Sequence, residues 1–335
     1  MKLTDTVSLA NNFPEYTKND ALNYNEANIQ PIKADWLFHH HISLDILRLD
    51  KIHPVISGNK WFKLQYYLQE AQNENQTVLT FGGAWSNHIV ATAFACREMD
   101  IASVGIIRGE APAAISPTLQ SAMDYGMQLH FISRGEYKQM NKAQETMNNK
   151  DQENKITQLQ TLINSLKNFE NFYLIPEGGY GSLGAQGAAG IGIQYDLSAY
   201  THIVAGVGTG TMLAGIILSA KPNQQIIGIS AMKSNDSLQP AVEELIKHCD
   251  HLPTFKIFYD YHFGGFGKHP PALIDFMNEV YRHHRLPLDI VYTAKAFFAV
   301  KDLVKKKYFQ DGAKVLMIHS GGLQGNESVK LSLQF

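Results

Sequence analysis

Seven short apolar segments that alternate with longer helical patterns constrain the fold of this 335-residue chain more than any other feature. Most are continuous apolar runs, which are typical of strands buried on both faces in parallel sheets covered by helices. Strands that alternate with helices form βαβ units, so the sequence predicts an α/β fold. The segments are TVLTFGG (77–83), SVGIIRG (103–109), QLHFIS (128–133), NFYLIPEGG (171–179), HIVAGVGTG (202–210), QIIGISA (225–231) and KVLMIHSGG (314–322).

Several of these segments end in glycine, and the clustering marks a candidate ligand site. In open parallel sheets, ligands bind beyond the carboxyl ends of the strands, where glycine allows a backbone to approach closely. Glycine-rich ends on neighbouring strands of one sheet are therefore expected to converge on one site.

The length of the chain predicts about two domains. The first 40 or so residues are polar and irregular, and residues 135–170 have a polar helical pattern that we interpret as a solvated surface helix or insertion. A domain crossing is expected near the end of that segment. We therefore predict a large domain formed by residues 1–55 and 168–335, and a small domain formed by residues 56–167.

Composition and charge exclude several classes of protein. A net charge of −2 disfavours a dedicated nucleic-acid binder. Two cysteines, Cys96 and Cys249, exclude a disulfide framework and a thiolate metal cluster, and they fit a reducing compartment. The histidines at 39–41 and 283–284 lack metal-ligand spacing, so no metal is expected. Without an apolar signal segment or a run of about 20 apolar residues, the chain is expected to be soluble and cytoplasmic.

The segment SGNKWFKL (57–64) places a lysine at the boundary between a turn and a predicted amphipathic helix. The dipole at a helix start disfavours a cation, so the pKa of Lys60 can be lowered there. A lysine of that kind serves as a Schiff-base amine or a general base. A lysine taken alone is more often a surface residue.

The segment FGGAWSNH (81–88) follows a predicted strand and opens a predicted helix. Ser86 and Asn87 are expected at the N-cap, where backbone N–H groups point toward a ligand region. This segment is either an ordinary cap or an anion-binding turn with side-chain donors. His88 taken alone would be a plain helix residue.

The segment GVGTGT (206–211) lies between a predicted strand and a helix and indicates a phosphate cradle. It departs from the dinucleotide fingerprint, which needs glycine where Thr211 stands, and it lacks the Walker lysine. The next strand, ending near Ala231, carries no acidic residue for a ribose. A single phosphate is therefore favoured, which weakens the alternative of a nucleotide-binding oxidoreductase.

Two further turns, PEGGYGS (176–182) and HSGG (319–322), also follow predicted strands. Either segment could be an ordinary turn that binds no ligand. The chain contains neither a Gly-x-Ser-x-Gly nucleophile elbow nor a His-Glu-x-x-His zinc motif.

Five segments carry a resemblance to a known family: SGNKWFKL, FGGAWSNH, PEGG, GVGTGTMLAG and HSGGLQG, in this order between residues 57 and 325. The chain resembles the fold-type II pyridoxal-phosphate enzymes, the group similar to the tryptophan synthase β subunit. Within that group it is similar to the 1-aminocyclopropane-1-carboxylate deaminase/D-cysteine desulfhydrase family, for which the pairing of NKxxKL with GGxxSNH is specific. The resemblance implies a two-domain α/β fold, with parallel sheets covered by helices and the active site between the domains.

The resemblance also implies that pyridoxal 5′-phosphate is the cofactor. Lys60 would form the Schiff base with its aldehyde, and Asn87 would donate a hydrogen bond to its 3′-oxygen. Ser320 would face the pyridine nitrogen, where a hydroxyl favours elimination over transamination. The phosphate would be bound by Gly208, Thr209, Gly210 and Thr211.

For the substrate, the resemblance implies contacts with Ser86, Asn87, His88 and Thr293. Ser86 would hold the carboxylate or assist proton transfer. Tyr292 matches the family's active-site tyrosine, and we interpret the preceding LDIV (288–291) as strand-like. Tyr292 and Thr293 are therefore expected to face the substrate.

Two positions depart from the family pattern. In DYHFGGFG, Phe266 stands where the family has a second tyrosine, and Tyr261 is the nearest hydroxyl. Thr293 stands where glutamate accompanies the cyclopropane deaminases and threonine the desulfhydrases. Both departures argue against opening of a cyclopropane ring.

The expected function is α,β-elimination from a small amino acid similar to D-cysteine, with release of pyruvate, ammonia and sulfide. Lys60 would remove the α-proton. The alternatives are 1-aminocyclopropane-1-carboxylate deamination and cofactor binding without this activity. The expected partners are a small-molecule amino acid and a second copy of the chain in a homodimer, with no nucleic acid and no membrane.

Overall fold

The computed structural model of the protein describes residues 23–145 and 171–335. The strands are β1 (Ile29–Ile32), β2 (Ser43–Arg48), β3 (Thr77–Gly82), β4 (Ser103–Arg108), β5 (Gln128–Ile132), β6 (Phe172–Ile175), β7 (His202–Val207), β8 (Gln225–Ser230), β9 (Thr254–Phe258) and β10 (Lys314–His319). The α-helices are α1 (Asp35–Phe38), α2 (Asn59–Asn73), α3 (Asn87–Glu98), α4 (Pro117–Asp124), α5 (Arg134–Glu145), α6 (Ser182–Gln194), α7 (Thr211–Ser219), α8 (Leu238–Ile246), α9 (Pro271–His284) and α10 (Thr293–Lys305). Short 3₁₀ helices are formed by Tyr24–Glu26, Leu49–Lys51, Glu177–Gly179 and Leu323–Ser332.

The described chain divides into two compact units. The large unit contains residues 23–63 and Ser182–Phe335, and the small unit contains the described part of Leu64–Gly181. The predicted boundary at 55/56 lies earlier in the chain than this division, so Lys60 falls in the large unit. The boundary predicted at 167/168, and the predicted surface helix beyond Glu145, lie outside the described residues.

The large unit is built on a six-stranded sheet in the order β1-β2-β10-β7-β8-β9. β1 runs antiparallel to β2, and the other neighbouring pairs are parallel. His319 at the end of β10 pairs with Arg48 at the end of β2, and Val207 of β7 pairs with Ser230 of β8. The carboxyl ends of these four strands therefore lie along one edge of the sheet, where a ligand site is expected.

Burial explains why the central strands are so apolar. In β7, β8 and β10 five of the six residues are buried, the exception being the first residue of each strand. In α7, seven residues from Thr211 to Ile217 are buried, and α10 contributes nine buried residues, among them Phe297 and Leu303. Strands covered in this way cannot show the alternating pattern of a half-exposed sheet.

The small unit is built on a four-stranded parallel sheet in the order β5-β4-β3-β6. Ile107 of β4 packs in a cluster with Ile89 of α3 and Leu119 of α4. Its neighbour Ile106 packs in a second cluster with Tyr137 of α5. Adjacent residues of a strand point to opposite faces, so helices cover both faces of this sheet.

The predicted α/β fold is confirmed, and all seven predicted strands are present. Three strands were missed, namely β1, β2 and β9, and β1 and α1 lie inside the stretch predicted to be irregular. The strand-like interpretation of LDIV is wrong, because residues 285–289 have no regular structure and residues 290–292 form a turn. Within residues 23–145 and 171–335, no helix has the length and apolar character needed to cross a membrane.

A buried ion pair fixes the carboxyl end of β2. The Arg48 guanidinium donates to both carboxylate oxygens of Asp50, at 2.8 and 2.6 Å, and the side chains are 6% and 4% exposed. His319 Nδ1 lies 3.2 Å from Asp50 Oδ1 and so joins the ends of β2 and β10. Burial alone would raise the pKa of Asp50, but His319, Arg48 and hydrogen bonds hold it below its ordinary value.

We predict that Arg48→Met lowers the free energy of unfolding by about 3–5 kcal/mol at pH 7, because it leaves the Asp50 carboxylate buried without its guanidinium. Since the folded-state pKa of Asp50 is depressed, this contribution is present at neutral pH and is lost as the pH falls through that pKa. Chemical denaturation measures the effect. The control is Lys247→Met, which removes an exposed pair with Glu244 and should cost less than about 1 kcal/mol. A similarly small cost for Arg48→Met would contradict the prediction.

Candidate functional site

The turn before α2 is attached to the ends of two strands. The Gly58 N–H donates to the Leu49 carbonyl at 2.9 Å, and the Asn59 N–H donates to the Ser320 carbonyl at 3.2 Å. At Gly58, φ is +67° and a Cβ would overlap the Ser320 carbonyl, so this close approach requires glycine. These bonds place Lys60 at the carboxyl edge of the large sheet.

The Lys60 amine is held by its neighbour. Lys60 Nζ donates to Asn59 Oδ1 at 3.0 Å, and Asn59 Nδ2 contacts Met212 Sδ at 3.1 Å in α7. Asn59 is itself buried. The side chain of Asn59 therefore connects the amine of Lys60 to the first turn of α7.

Burial lowers the pKa of Lys60 to about 8, and the negative charge of Asp289 limits the shift. The sequence correctly predicted a lowered pKa, although desolvation, not the helix dipole, is its main cause. Burial, followed by the charge of Lys60, lowers the pKa of Lys63 well below its ordinary value. At pH 7 a group with a pKa of about 8 is neutral in roughly one molecule in ten, which is the form that acts as a nucleophile or base.

The predicted phosphate cradle lies on the same sheet edge, between β7 and α7. Gly210 has φ +88° and precedes the first residue of the helix, Thr211. The hydroxyls of Thr209 and Thr211 lie 3.0 Å apart. Free backbone N–H groups at a helix start, together with two hydroxyls, are the donors that bind a phosphate.

Tyr292 lies against the glycine residues of this strand end. A Cβ at Gly206 would lie 3.0 Å from the Cβ of Tyr292, and a Cβ at Gly208 would lie 2.9 Å from its hydroxyl oxygen. Both positions must stay small for the tyrosine to approach. The large unit therefore holds Lys60, the residues 208–211 and Tyr292 at one edge of its sheet, and Tyr292 lies in a turn and not at a strand end.

A buried carboxylate holds Tyr292 in that turn. Asp289 is fully buried, and it accepts the backbone N–H groups of Val291, Tyr292 and Thr293 at 2.8–2.9 Å. The Thr293 hydroxyl donates to Asp289 Oδ2 at 2.6 Å and accepts the Asp289 N–H at 2.7 Å. Asp289 therefore binds the N–H of Thr293, the first residue of α10, and fixes the backbone of Tyr292 just before that helix.

Thr293, for which a substrate contact is predicted, lies at the end of this turn. Thr293 is fully buried, and its hydroxyl both donates to and accepts from Asp289. A hydroxyl used in this way inside the protein stabilises the turn that contains Tyr292.

Ser320 follows β10 at the same sheet edge and is 7% exposed. The ring of the preceding residue, His319, is fixed from both sides, since Nε2 donates to the Pro287 carbonyl at 2.8 Å and Nδ1 lies 3.2 Å from Asp50 Oδ1. Ser320 therefore lies in a turn whose backbone is tied both to the turn before Lys60 and to the segment before Asp289.

The two aromatic residues singled out near position 266 have different environments. Phe266 is 55% exposed, and its ring centroid lies 6.0 Å from that of Tyr292. Tyr261 is buried, and its hydroxyl donates to Asp302 at 2.6 Å in α10. Tyr261 is therefore engaged in packing α10, whereas Phe266 lies beside a predicted site residue.

In the small unit, Ser86 caps α3 as predicted, and its side chain accepts the Ile89 N–H at 3.4 Å. Asn87 is the first residue of that helix. His88 is buried, and its Nε2 lies 2.8 Å from the Thr80 hydroxyl, which itself donates to a backbone carbonyl. His88, for which a substrate contact is predicted, therefore has a structural contact with β3.

Three residues of this region were missed by sequence reasoning: Asn59, Asp289 and Lys295. Asn59 stands directly before the lysine and was treated only as a turn residue. Asp289 lies inside LDIV, and the strand-like interpretation of that segment concealed its role in a turn. Lys295 is fully buried, which no local pattern indicates.

The residues of the large unit fit the cofactor implied by the sequence. The amine of Lys60, with its lowered pKa, suits attack on an aldehyde, and the cradle of glycines and threonines suits one phosphate. The Ser320 hydroxyl can accept from or donate to a ring nitrogen.

A model of the family described as pyridoxal-phosphate dependent enzyme matches residues 32–321. A relative from Pyrococcus abyssi, provisionally named a 1-aminocyclopropane-1-carboxylate deaminase, is 30% identical over 286 residues, which cover 81% of each chain. The D-cysteine desulfhydrase of Salmonella choleraesuis is 25% identical over 294 residues, covering 82% of this chain and 86% of the relative.

Two further matches agree with these. The bifunctional D-cysteine desulfhydrase/1-aminocyclopropane-1-carboxylate deaminase of Arabidopsis thaliana, a mitochondrial protein, is 28% identical over 297 residues, covering 81% of this chain and 70% of the relative. A crystal structure described as an ACC deaminase homologue superposes with a TM-score of 0.73 at 24% identity, over 99% of this chain and all of that one. The chain belongs to the pyridoxal-phosphate-dependent enzymes, and within them to the family of 1-aminocyclopropane-1-carboxylate deaminases and D-cysteine desulfhydrases.

Proposed function

We propose that the protein catalyses α,β-elimination from D-cysteine or a similar β-substituted amino acid. The observation that carries this proposal is the juxtaposition of a Lys60 amine of lowered pKa, a phosphate cradle and Tyr292 within one unit. In the overall reaction the α-proton is removed, and the carbon–sulfur bond breaks with its electron pair leaving on sulfur. The remaining unsaturated amine takes up water to give pyruvate and ammonia.

When bound, pyridoxal phosphate supplies an electron sink for the charge left on the α-carbon. The residues Gly208–Thr211 would bind its phosphate through backbone N–H groups and threonine hydroxyls. Ser320 would face the pyridine nitrogen, and Asn87 would donate to the 3′-oxygen. A neutral hydroxyl at the ring nitrogen favours elimination over transamination.

Lys60 Nζ would hold the cofactor through its aldehyde, and as a neutral amine it would accept the α-proton of the substrate. A pKa of about 8 supports this role, because the neutral amine is then accessible near physiological pH. Ser86 would bind the substrate carboxylate at the start of α3. The hydroxyl of Tyr292 would donate or accept a proton beside Lys60, in the orientation that Asp289 gives it.

The alternative activity, deamination of 1-aminocyclopropane-1-carboxylate, receives less support. Thr293 supplies no charge, and its hydroxyl is used by Asp289. A thiolate leaves readily once the α-proton is removed, so cleavage of a carbon–sulfur bond needs less assistance than opening a ring. The homodimer and the cytoplasmic location stay predictions from the sequence.

We predict that the purified protein releases 2-oxo acid from D-cysteine and β-chloro-D-alanine at least about tenfold faster than from 1-aminocyclopropane-1-carboxylate, judged by kcat/KM. The control is Lys60→Ala, which should abolish release from every substrate. Equal turnover of the cyclopropane acid would contradict the argument from Thr293. If none of the substrates reacts, the substrate assignment fails, although the cofactor assignment does not.

We also predict that Asp289→Asn lowers the pKa of Lys60 below about 8, because it removes the negative charge that raises this pKa against the effect of burial. The pH dependence of acylation of Lys60 in cofactor-free protein, followed by mass spectrometry, measures this pKa. Asp302→Asn, which changes a carboxylate bonded to Tyr261 and Lys306, is the control and should leave it unchanged. An unchanged or higher pKa in Asp289→Asn would refute the assignment.

A further inference from the structure

Lys295 is a fully buried lysine that the proposed reaction does not use. It lies in the first turn of α10, two residues after Thr293. Lysine is almost never fully buried without partners, because removing an ammonium from water is costly. The contacts of its ammonium therefore indicate what the residue does.

The ammonium of Lys295 joins three separate segments. Its Nζ donates to the Gly265 carbonyl at 2.8 Å and lies 3.3 Å from the Ala231 carbonyl, which follows β8. Asp289 supplies the opposite charge nearby. Lys295 thus ties the start of α10 to the end of β8 and to the loop of residues 262–268, here called the glycine loop.

The backbone conformation of the glycine loop needs hydrogen bonds from outside the loop to hold it. Phe263, Gly264, Gly265 and Gly267 all have positive φ, between 51° and 126°. Glycines lose more conformational freedom on ordering than other residues do, so the folded form of this loop is entropically unfavourable. The Gly265 carbonyl accepts from both the Lys295 ammonium and the Lys268 N–H, so it is an anchored point of the loop.

The loop carries an aromatic side chain to the candidate site. Phe266 follows the anchored Gly265 and is 55% exposed, yet its ring meets that of Tyr292 at an angle of 71°. A ring this exposed adds little to the core, and it contacts the ring of Tyr292. A loop that moved would carry Phe266 away from Tyr292 and change the surface presented there.

We propose that Lys295 is a positioning residue that holds the glycine loop, and with it Phe266, beside Tyr292 and so determines the fit of the substrate. The part that concerns the substrate rests on the proposed function. Binding of the cofactor depends on other residues, namely Lys60, Gly208–Thr211 and Ser320, and should be little affected by changes at Lys295.

The test compares Lys295→Met with Lys301→Met in the cofactor-loaded enzyme. Lys301 lies in the same helix and pairs with Glu279, so its variant controls for loss of a helix lysine. In Lys295→Met we expect amide hydrogen exchange in residues 262–268 to become about tenfold faster, with β8 and the rest of α10 unchanged. We expect the KM for D-cysteine to rise about tenfold, kcat to change less than about threefold, and the Kd of the cofactor to change less than about twofold.

Unchanged exchange in the loop, or an equal increase throughout the large unit, would overturn the proposal. So would a fall in kcat at constant KM. If Lys295→Met does not fold, Phe266→Ala replaces it, and an unchanged KM in that variant would equally overturn the proposal. The exchange measurement needs no substrate, so it still decides whether Lys295 anchors the loop if D-cysteine proves not to be turned over.

Discussion

The buried carboxylate of Asp289 is the interaction on which the candidate site depends. It accepts three backbone N–H groups and one hydroxyl, each a hydrogen bond to a charged group worth about 1.5–3 kcal/mol. Those bonds offset the cost of removing the carboxylate from water. The same charge acts on Lys60 and Lys295. Burial lowers the pKa of each lysine to about 8, and the negative charge of Asp289 prevents a larger fall.

The large sheet explains why one carboxylate can act on so many groups. β2, β10, β7 and β8 are parallel neighbours whose carboxyl ends lie together, and the turns after β10 and β7 carry Ser320 and the residues 208–211. The turn before Lys60 is hydrogen-bonded to the turns after β2 and β10, and Tyr292 packs on the glycines at the end of β7. Short turns at this edge therefore place the Lys60 amine, the phosphate cradle and Tyr292.

The parts of the site that follow from local sequence could be predicted, and the parts that follow from tertiary contacts could not. The Ser86 cap, the 206–211 turn and the lysine at a helix start are encoded within a few residues, and the structure contains all three. LDIV was misread because a short apolar run has the same pattern in a strand and in a buried turn. Whether the hydroxyl of Thr293 faces a ligand or Asp289 depends on packing, which the pattern does not contain. β9 was missed because an edge strand, half exposed, lacks the continuous apolar run that marked the others.

Three lysines of the large unit, Lys60, Lys63 and Lys295, are buried or partly buried, and they differ in their contacts. Lys295 donates to backbone carbonyls, and the pKa of Lys63 lies well below its ordinary value, while Lys60 is held by Asn59 beside the phosphate cradle.

The most direct test of the account is borohydride reduction of the cofactor-loaded protein, followed by peptide mapping. The account predicts that the cofactor is fixed on Lys60. Recovery of the cofactor on Lys63, Lys295 or another lysine would contradict it.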